Sequence, residues 1–268
     1  MDSTDGVLIF AAHADDTEFL AGGTVASMAD EGREIIEVIA TNNERGTFEL
    51  PPEQIIGQSE NEAREAARIL GKKDVVFLGY SDGFLADTPL NELREKFIRL
   101  IRTYRPRTVM TFDPWAPFET HQDHRRVAYA AVEAAGFSHF PHFHPEHAEE
   151  GLEPHLVTEQ LLFAKNPVHA DKVMDTTAYI DKKIDALCAH DSQMKLTVDD
   201  LRMSLEAAGA DAEAVAGLDR NNYRSLLEIF VKAHDAEVGK KAGYEYGEEF
   251  RRELAGGPVA ALARGGSE

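Results

Sequence analysis

Cysteine is nearly absent from this sequence, which contains one in 268 residues. An intramolecular disulfide is therefore excluded, and the position of Cys188 among apolar residues predicts a packed thiol rather than a nucleophile. Long apolar runs are missing as well. The longest covers residues 7–12, far short of the roughly 20 residues that a membrane-spanning helix needs. Since the N-terminus is acidic, we expect neither a signal peptide nor a membrane span, and a cytoplasmic location.

Basic residues are few relative to acidic ones. The chain has 28 Lys and Arg against 48 Asp and Glu, which gives a formal net charge of −20. This charge argues against polyanionic partners, so we expect the protein to bind neither nucleic acid nor an anionic membrane surface. A Gly-x-Gly-x-x-Gly motif is also missing after the first predicted strand, so nucleotide binding has no support. The sequence leaves the oligomeric state open, and a homo-oligomer is compatible with it.

Strand and helix patterns alternate along the chain. Short apolar runs predict strands at residues 7–12, 34–40, 74–78, 107–112, 160–164 and 172–175. Helical periodicity predicts helices at residues 22–31, 53–70, 90–104, 124–135, 177–190, 198–208 and 221–236. Gly71 and Gly136 are expected to end the helices that they follow. We therefore predict an α/β fold of three layers, in which a Rossmann-like, mostly parallel sheet lies between helices, with a helical C-terminal extension.

No linker rich in Pro, Gly or Ser divides the sequence, so we expect a single domain over residues 1–268. Its core is expected at about 6–195, the helical extension at about 196–252, and a frayed tail beyond. The segment 137–154 shows neither the helix nor the strand period and carries four histidines. We expect it to form a loop with solvated or stacked histidines rather than a second metal site.

Two polar clusters follow predicted strands. The first, residues 13–16, contains His13, Asp15 and Asp16, and alone it would be explained equally well by a helix-capping Asp beside a surface histidine. The second contains His121 and His124 beyond strand 107–112. In a sheet of order 3-2-1-4 the first and fourth strands are neighbours, and their carboxyl ends border one crevice. We therefore expect both clusters to meet there and to supply the His and carboxylate ligands that zinc accepts in hydrolytic sites.

These two clusters resemble the paired signature of the PIG-L/LmbE-like family of zinc-dependent N-deacetylases, which act mainly on N-acetylglucosamine-type substrates. The first cluster is followed by Gly22, Gly23 and Thr24, as in that family. Similar segments occur at residues 41–46, 77–83, 113–114, 189–193 and 246–251. Ala14 stands where proline is usual, a departure that removes no ligand. The segment 198–219 matches no part of the family pattern.

Spacing and this resemblance together imply roles for the clustered residues. His13, Asp16 and His124 are expected to bind one Zn²⁺ per chain, and iron is the alternative because a His-His-carboxylate shell suits it too. Asp15 is expected to act as the general base. His121 is expected to stabilise the oxyanion and then to protonate the leaving amine, with Asp123 favouring its charged form. Asp123 could also, or instead, be the N-cap of the following helix.

Expectations about substrate contacts rest on weaker signals. The predicted contacts are Glu44, Arg45, Trp115, Phe118, His190, Ser192 and Gln193. The first two would hydrogen-bond sugar hydroxyls, or else form a solvated turn. The aromatic pair would stack on a pyranose face, or else pack as a plug. By resemblance the last three line the site, although they are also explained as the polar end of an amphipathic helix.

The sequence therefore predicts a hydrolase that removes an acetyl group from an N-acetylglucosamine unit in a small glycoside or glycoconjugate. One alternative is a deacylase or amidase that acts on an N-acylated natural product or a thiol conjugate. Another is a non-catalytic binding module stabilised by metal. Asp15 and His121 disfavour this module, because a structural zinc site would fill its fourth position with a protein ligand.

Overall fold

The computed structural model describes residues 5–211, 215 and 217–257. The strands are β1 (Val7–Ala11), β2 (Ile35–Thr41), β3 (Asp74–Tyr80), β4 (Thr108–Phe112), β5 (Glu159–Phe163), β6 (Lys172–Asp175) and β7 (Gly247–Leu254). The helices are α1 (Asp16–Asp30), α2 (Pro52–Leu70), α3 (Leu90–Tyr104), α4 (Gln122–Phe137), α5 (Glu146–Glu149), α6 (Ile180–Ala189), α7 (Asp191–Ala207) and α8 (Arg224–Lys240). Within these described ranges, no helix is both long and apolar enough to cross a membrane.

The strands form one sheet of order β3-β2-β1-β4-β5-β7-β6. Strands β1 to β5 run parallel to one another, and β7 is antiparallel to both β5 and β6. β1, β2 and β4 are buried along their whole length, as expected when helices cover both faces of a parallel sheet. The predicted order 3-2-1-4 and the mostly parallel α/β fold are confirmed.

The sequence pattern predicts a purely helical C-terminal extension, and this prediction is wrong. Residues 247–254 form β7, which lies within the sheet, between β5 and β6. Its start packs so closely on the end of α8 that a Cβ atom added to Gly239 would lie 2.8 Å from the carbonyl oxygen of Tyr244. A side chain at Gly239 would therefore separate α8 from the chain that leads into β7.

Some helix bounds differ from the predicted ones. α1 begins at Asp16 rather than near Gly22, so the first polar cluster extends into its first turn. Gly71 ends α2 in the left-handed conformation, with φ of 84°, as predicted. Gly136 does not end α4, which continues through it to Phe137. The segments predicted at 177–190 and 198–208 form α6 and α7, which adjoin at His190. In the predicted frayed tail beyond residue 252, residues 253 and 254 belong to β7, so that part of the prediction is wrong. Residues from 258 onward lie outside the described part of the chain.

The histidine-rich segment 137–154 is a loop with one short helix, α5, and Arg102 anchors it. The Arg102 guanidinium donates hydrogen bonds to the carbonyls of Ser138, Phe140, Phe143 and His144. His147 is fully buried, with Nδ1 3.0 Å from Arg102 and Nε2 2.8 Å from Glu95. Ligand atoms of His144, Glu146 and His147 approach one another, but both ring nitrogens of His147 already have partners, which disfavours a second metal site.

Candidate active site

Both predicted clusters meet in one cavity of about 810 Å³, at the carboxyl ends of β1 and β4. This is the crevice that the strand order predicted. The polar side chains that line it around the two clusters are His13, Asp15, Asp16, Asn43, Arg45, Asp82, His121, His124, Lys165 and Gln193. His13 and Asp16 are almost fully buried, as is His124, so the inner end of the cavity is largely shielded from solvent.

Three donor groups converge at the inner end of the cavity. His13 Nδ1 lies 3.2 Å from His124 Nε2, and His124 Nε2 lies 3.3 Å from Asp16 Oδ1. The third separation, from His13 Nδ1 to Asp16 Oδ2, is 3.5 Å. Ligands at usual zinc distances in tetrahedral geometry are about 3.4 Å apart. The spacing of these donors therefore fits a divalent ion of that size and geometry.

Asp16 is held in place by the junction between β1 and α1. Its Oδ2 accepts hydrogen bonds from the backbone amides of Ala12 (3.0 Å) and His13 (2.7 Å). It is also the first residue of α1, where the helix dipole favours a carboxylate. Burial alone would raise the pKa of Asp16, but His124 and His13 hold it well below its usual value. Asp16 is therefore anionic across the neutral pH range.

Each proposed ligand histidine has a carboxylate at its other ring nitrogen. His13 Nε2 lies 3.2 Å from Asp82 and 3.5 Å from Asp123. His124 Nδ1 lies 3.1 Å from Glu119 Oε2. Carboxylates in this position fix the tautomer and the orientation of metal-binding imidazoles. The ring nitrogens that face each other are thereby left free to bind an ion.

Two other sets of donors overlap with this one. The ligand atoms of His13, His121 and His124 approach within 4.8 Å of one another, as do those of His13, Asp82, His121 and Asp123. We favour the set with Asp16, because Asp82 and Asp123 face the Nε2 side of His13, away from His124. Asp82 and Asp123 are better placed to orient His13 than to bind the same ion.

Asp123 occupies a different position from the expected one. Its carboxylate accepts hydrogen bonds from the backbone amides of Gly83 (2.7 Å) and Leu85 (3.0 Å), and it is completely buried. It is not the N-cap of α4, because His121 occupies that position. Asp123 therefore ties α4 to the loop after β3 and supports His13.

His121 stands beside the proposed ligands at the start of α4. Its Nδ1 accepts a hydrogen bond of 3.3 Å from the backbone amide of Asp123, which favours the tautomer with hydrogen on Nε2. Burial, followed by the charges of His13 and His124, lowers the pKa of His121, and the opposing charges of Asp123 and Asp16 do not reverse this. The expected support of a charged His121 by Asp123 is thus outweighed by its other neighbours.

Asp15 and Asp16 are adjacent but lie in opposite electrostatic environments. Asp15 is the N-cap residue of α1, yet its side chain makes no capping hydrogen bond, and it lines the cavity. Burial, and then the charge of Asp16, raises the pKa of Asp15. A carboxylate with a raised pKa that faces a cavity is suited to accept a proton.

The predicted substrate contacts divide into two groups. Arg45 and Gln193 line the cavity, whereas Glu44, Trp115, Phe118, His190 and Ser192 are not among its lining residues. Glu44 faces away, toward Ser81 and Arg45. Ser192 donates a 2.6 Å hydrogen bond to Glu62, so it anchors α7 to α2.

The two aromatic candidates lie on the surface near the site. The Trp115 ring packs under the guanidinium of Arg251, 4.3 Å away, and Phe118 is 88% exposed. His190 is fully buried at the junction of α6 and α7, with Nε2 3.6 Å from Glu18. None of the three side chains lines the cavity. Trp115 packs on Arg251, Phe118 is exposed to solvent and His190 lies beside Glu18.

The sequence analysis missed several residues that the structure brings to the site. Asp82 follows the end of β3 and Lys165 follows the end of β5, and a position after a strand end is the signal that could have revealed them. Glu119 carries no such signal, since it lies in an irregular turn. Glu18, in the first turn of α1, pairs with Lys72 at 2.6 Å.

Comparison with known proteins agrees with this geometry. Residues 8–135 match the family model "PIG-L: GlcNAc-PI de-N-acetylase". Diacetylchitobiose deacetylase of Thermococcus kodakarensis is 29% identical over 190 residues, which make up 70% of this chain and 69% of that protein. A probable N-acetyl-alpha-D-glucosaminyl L-malate deacetylase 2 of Bacillus anthracis is 28% identical over 222 residues, 81% of this chain and 93% of that protein.

A solved structure extends the similarity over most of the fold. N,N'-diacetylchitobiose deacetylase from Pyrococcus horikoshii, complexed with its inhibitor MPG, superposes with a TM-score of 0.76 and 28% identity. The match covers 93% of this chain and 84% of the other. The family model, by comparison, ends at residue 135. Residues 8–135 of the chain therefore match the PIG-L family model, and similarity to deacetylases extends over most of its length.

Proposed function

We propose that this protein is a metal-dependent N-deacetylase that hydrolyses the acetamide of an N-acetylglucosamine-type sugar or glycoconjugate. The observation that carries the proposal is the convergence of His13 Nδ1, His124 Nε2 and the Asp16 carboxylate within 3.2–3.5 Å, with Asp15 and His121 facing the same cavity. The names of the relatives, which are deacetylases of acetylated amino sugars, support the same substrate class.

His13, Asp16 and His124 would hold the ion, and zinc is our choice because its usual geometry fits the three donors. When bound, such an ion polarises a carbonyl and lowers the pKa of water. An N-acylated natural product or thiol conjugate would meet the same residues. A binding module without catalysis would leave Asp15 and His121 with no role at this end of the cavity.

Asp15 acts as the general base in the proposed reaction. It takes a proton from the attacking water as the water oxygen bonds to the carbonyl carbon of the amide. Its raised pKa brings its basicity closer to neutral pH. When the C–N bond breaks, the amine needs a proton, and the protonated Asp15 carries one that it can return.

His121 stabilises the charge that develops on the carbonyl oxygen. Its favoured tautomer carries hydrogen on Nε2, so it can donate a hydrogen bond without being charged. In its protonated form it can also supply the leaving nitrogen with a proton, in place of Asp15. The lowered pKa of His121 makes oxyanion stabilisation its main role at neutral pH.

The test is to load purified protein with zinc and to measure acetate and free amine released from methyl N-acetyl-β-glucosaminide. His124→Ala should lose most of the bound metal and the activity together. Asp15→Asn should retain metal while turnover falls by roughly 10² to 10⁴. Asp181→Asn, at an exposed position in the first turn of α6, serves as the control and should change neither. Full metal retention in His124→Ala would contradict the proposed ligand set.

A further inference from the structure

The cavity extends well beyond the proposed metal ligands, into a region that we call the apolar arm. It is formed by side chains of three helices, α1, α7 and α8, namely Phe19, Leu20, Leu196, Leu227, Phe230 and Val231. The last three lie at helical spacing on one face of α8. Leu227 and Val231 are buried in a small core, whereas Phe230 is 57% exposed. The arm therefore has a packed apolar wall at Leu227 and Val231 and is open to solvent at Phe230.

The polar groups that border the apolar arm are already engaged with one another. Lys183 pairs with Asp235 and Glu248, each at 2.8 Å. His234 Nδ1 lies 3.0 Å from Asp235 Oδ1. The hydroxyl of Thr197 donates a 2.8 Å hydrogen bond to a backbone carbonyl. Lys183, Asp235 and Thr197 thus already have partners, as does one ring nitrogen of His234.

This arrangement disfavours a second sugar unit in the arm. Burying a sugar hydroxyl without a hydrogen-bond partner is unfavourable, since an unsatisfied buried polar group costs about 1–3 kcal/mol. Apolar atoms gain free energy on the same surface. At about 810 Å³ the whole cavity lies near the upper end of the range for small-molecule sites. The ligand is thus expected to be larger than one sugar and apolar at the end distant from the metal.

We propose that the apolar arm binds an alkyl or aryl substituent of the substrate, so that the protein acts on amino sugars that carry an apolar group. This inference rests on the proposed function, because the arm is continuous with the proposed metal centre. The substituent reaches the arm either from the glycosidic oxygen or as a longer acyl chain on the nitrogen. Both sources have the same chemistry, and the substrate series below separates them.

The first experiment measures kcat/KM for methyl, butyl and hexyl N-acetyl-β-glucosaminides and for N-acetyl, N-butanoyl and N-hexanoyl glucosamine. Each methylene that the arm buries should raise kcat/KM by up to about fourfold. A rise in the glycoside series alone assigns the arm to the aglycone, and a rise in the acyl series alone assigns it to the acyl chain. Diacetylchitobiose should react no better than the methyl glycoside. Flat dependence in both series overturns the proposal.

Two neighbouring residues on α8 provide the matched variants. Phe230→Ala removes an apolar side chain that lines the arm, whereas Ile229→Ala removes one that is 67% exposed and does not line it. Phe230→Ala should flatten the dependence of kcat/KM on chain length. Ile229→Ala should leave the dependence intact. Equal effects of the two variants would overturn the proposal.

A binding measurement separates failure of this inference from failure of the proposed function. Hexyl β-glucoside contains no amide, so its binding can be measured by calorimetry even if no sugar is deacetylated. Binding should weaken about tenfold or more in Phe230→Ala and be unchanged in Ile229→Ala. If hexyl β-glucoside does not bind and Phe230→Ala instead alters the sedimentation coefficient, the arm is a contact between copies of the chain, and the proposal is overturned.

Discussion

Each of the two proposed ligand histidines has a carboxylate beside the ring nitrogen that would not bind the ion. Glu119 Oε2 lies 3.1 Å from His124 Nδ1, and Glu119 Oε1 accepts a 2.9 Å hydrogen bond from the backbone amide of His121. One side chain thus orients a proposed ligand and the turn that carries the proposed oxyanion-stabilising histidine. Removing its charge should weaken metal binding without removing a ligand.

Glu119→Gln is accordingly expected to lower metal affinity by about 10- to 100-fold, which competition with a chelator would measure. Glu146→Gln is the matched control, because Glu146 lies at a similar distance, 3.0 Å, from His144 but on the exposed loop. The control should leave metal affinity unchanged. Equal affinity in both variants would show that Glu119 does not support His124.

The titration of His121 offers a second prediction at this scale. Burial and the neighbouring imidazoles lower its pKa, so its protonated form is lost as pH rises through a value below the usual 6.5 or so. If the charged form supplies the proton to the amine, the pH profile of kcat has an alkaline limb that begins in the acidic range. His121→Ala should remove that limb and reduce kcat by roughly 10² to 10³. A limb that persists in the variant belongs to another group.

The meeting of the two clusters was predictable from the sequence, because each lies beyond an apolar strand and parallel-sheet topology makes the two strands neighbours. The supporting carboxylates were not, since Glu119 depends on an irregular turn and Asp82 comes from a third strand end. The position of Asp123 was also hidden, because its partners are backbone amides of Gly83 and Leu85. Sequence spacing does not show which way a side chain on the first turn of a helix will face.

Three elements are joined by one buried lysine. Lys72, just after α2, lies 2.6 Å from Glu18 on α1 and 2.7 Å from Glu37 on β2, and all three are buried. Removing the cation leaves two carboxylates without compensation. Lys72→Met should therefore lower the free energy of unfolding by about 3–5 kcal/mol. Lys73→Met, a surface lysine paired with Glu34, should change it by less than about 1 kcal/mol. Urea unfolding at pH 7 measures both.

This cluster also gives stability a defined pH dependence. Burial alone would raise the pKa of Glu18, but Lys72 and His190 lower it to about 2. A carboxylate with a depressed folded-state pKa stabilises the fold above its unfolded pKa, near 4.3, and loses this contribution as pH falls toward 2. The urea midpoint of the native protein should fall over that range, and Glu18→Gln should reduce the fall. An identical acid profile for both proteins would contradict this assignment.

The elements themselves were predictable to different degrees. Apolar runs revealed β1, β2, β4 and β5, because a strand inside a parallel sheet is largely hydrophobic. They also revealed β3 and β6, which lie at the edges of the sheet. β7 was missed because its sequence is mostly charged and only Phe250 is an apolar residue packed in the core cluster. α1 was predicted to begin too late, since its first turn is polar. That turn is polar because it contributes Asp16 to the site, so function obscured the helical pattern there.

For the molecule as a whole, charge is the dominant property that the proposed site must accommodate. The net charge of −20 produces a field that repels anions and attracts cations toward the cavity. Arg45 and Lys165 line the cavity near the proposed metal site, but both already have partners. Arg45 contacts Glu44 and the Asp82 carbonyl, and Lys165 lies 3.7 Å from Glu119. The cavity therefore offers little local compensation to an anionic substrate.

The protein should consequently have a higher kcat/KM for neutral amino sugars than for anionic ones. The dependence of kcat/KM on salt concentration should show that electrostatic repulsion is the cause. Between about 10 mM and 150 mM salt the screening length falls from roughly 30 Å to 8 Å. Over that range kcat/KM for a 6-phosphorylated methyl N-acetylglucosaminide should rise by about twofold to tenfold, because screening weakens the repulsion. The uncharged parent glycoside provides the matched control and should show no change. If the phosphorylated sugar instead reacts faster than its parent and slows with added salt, Lys165 and Arg45 outweigh the field of the whole molecule.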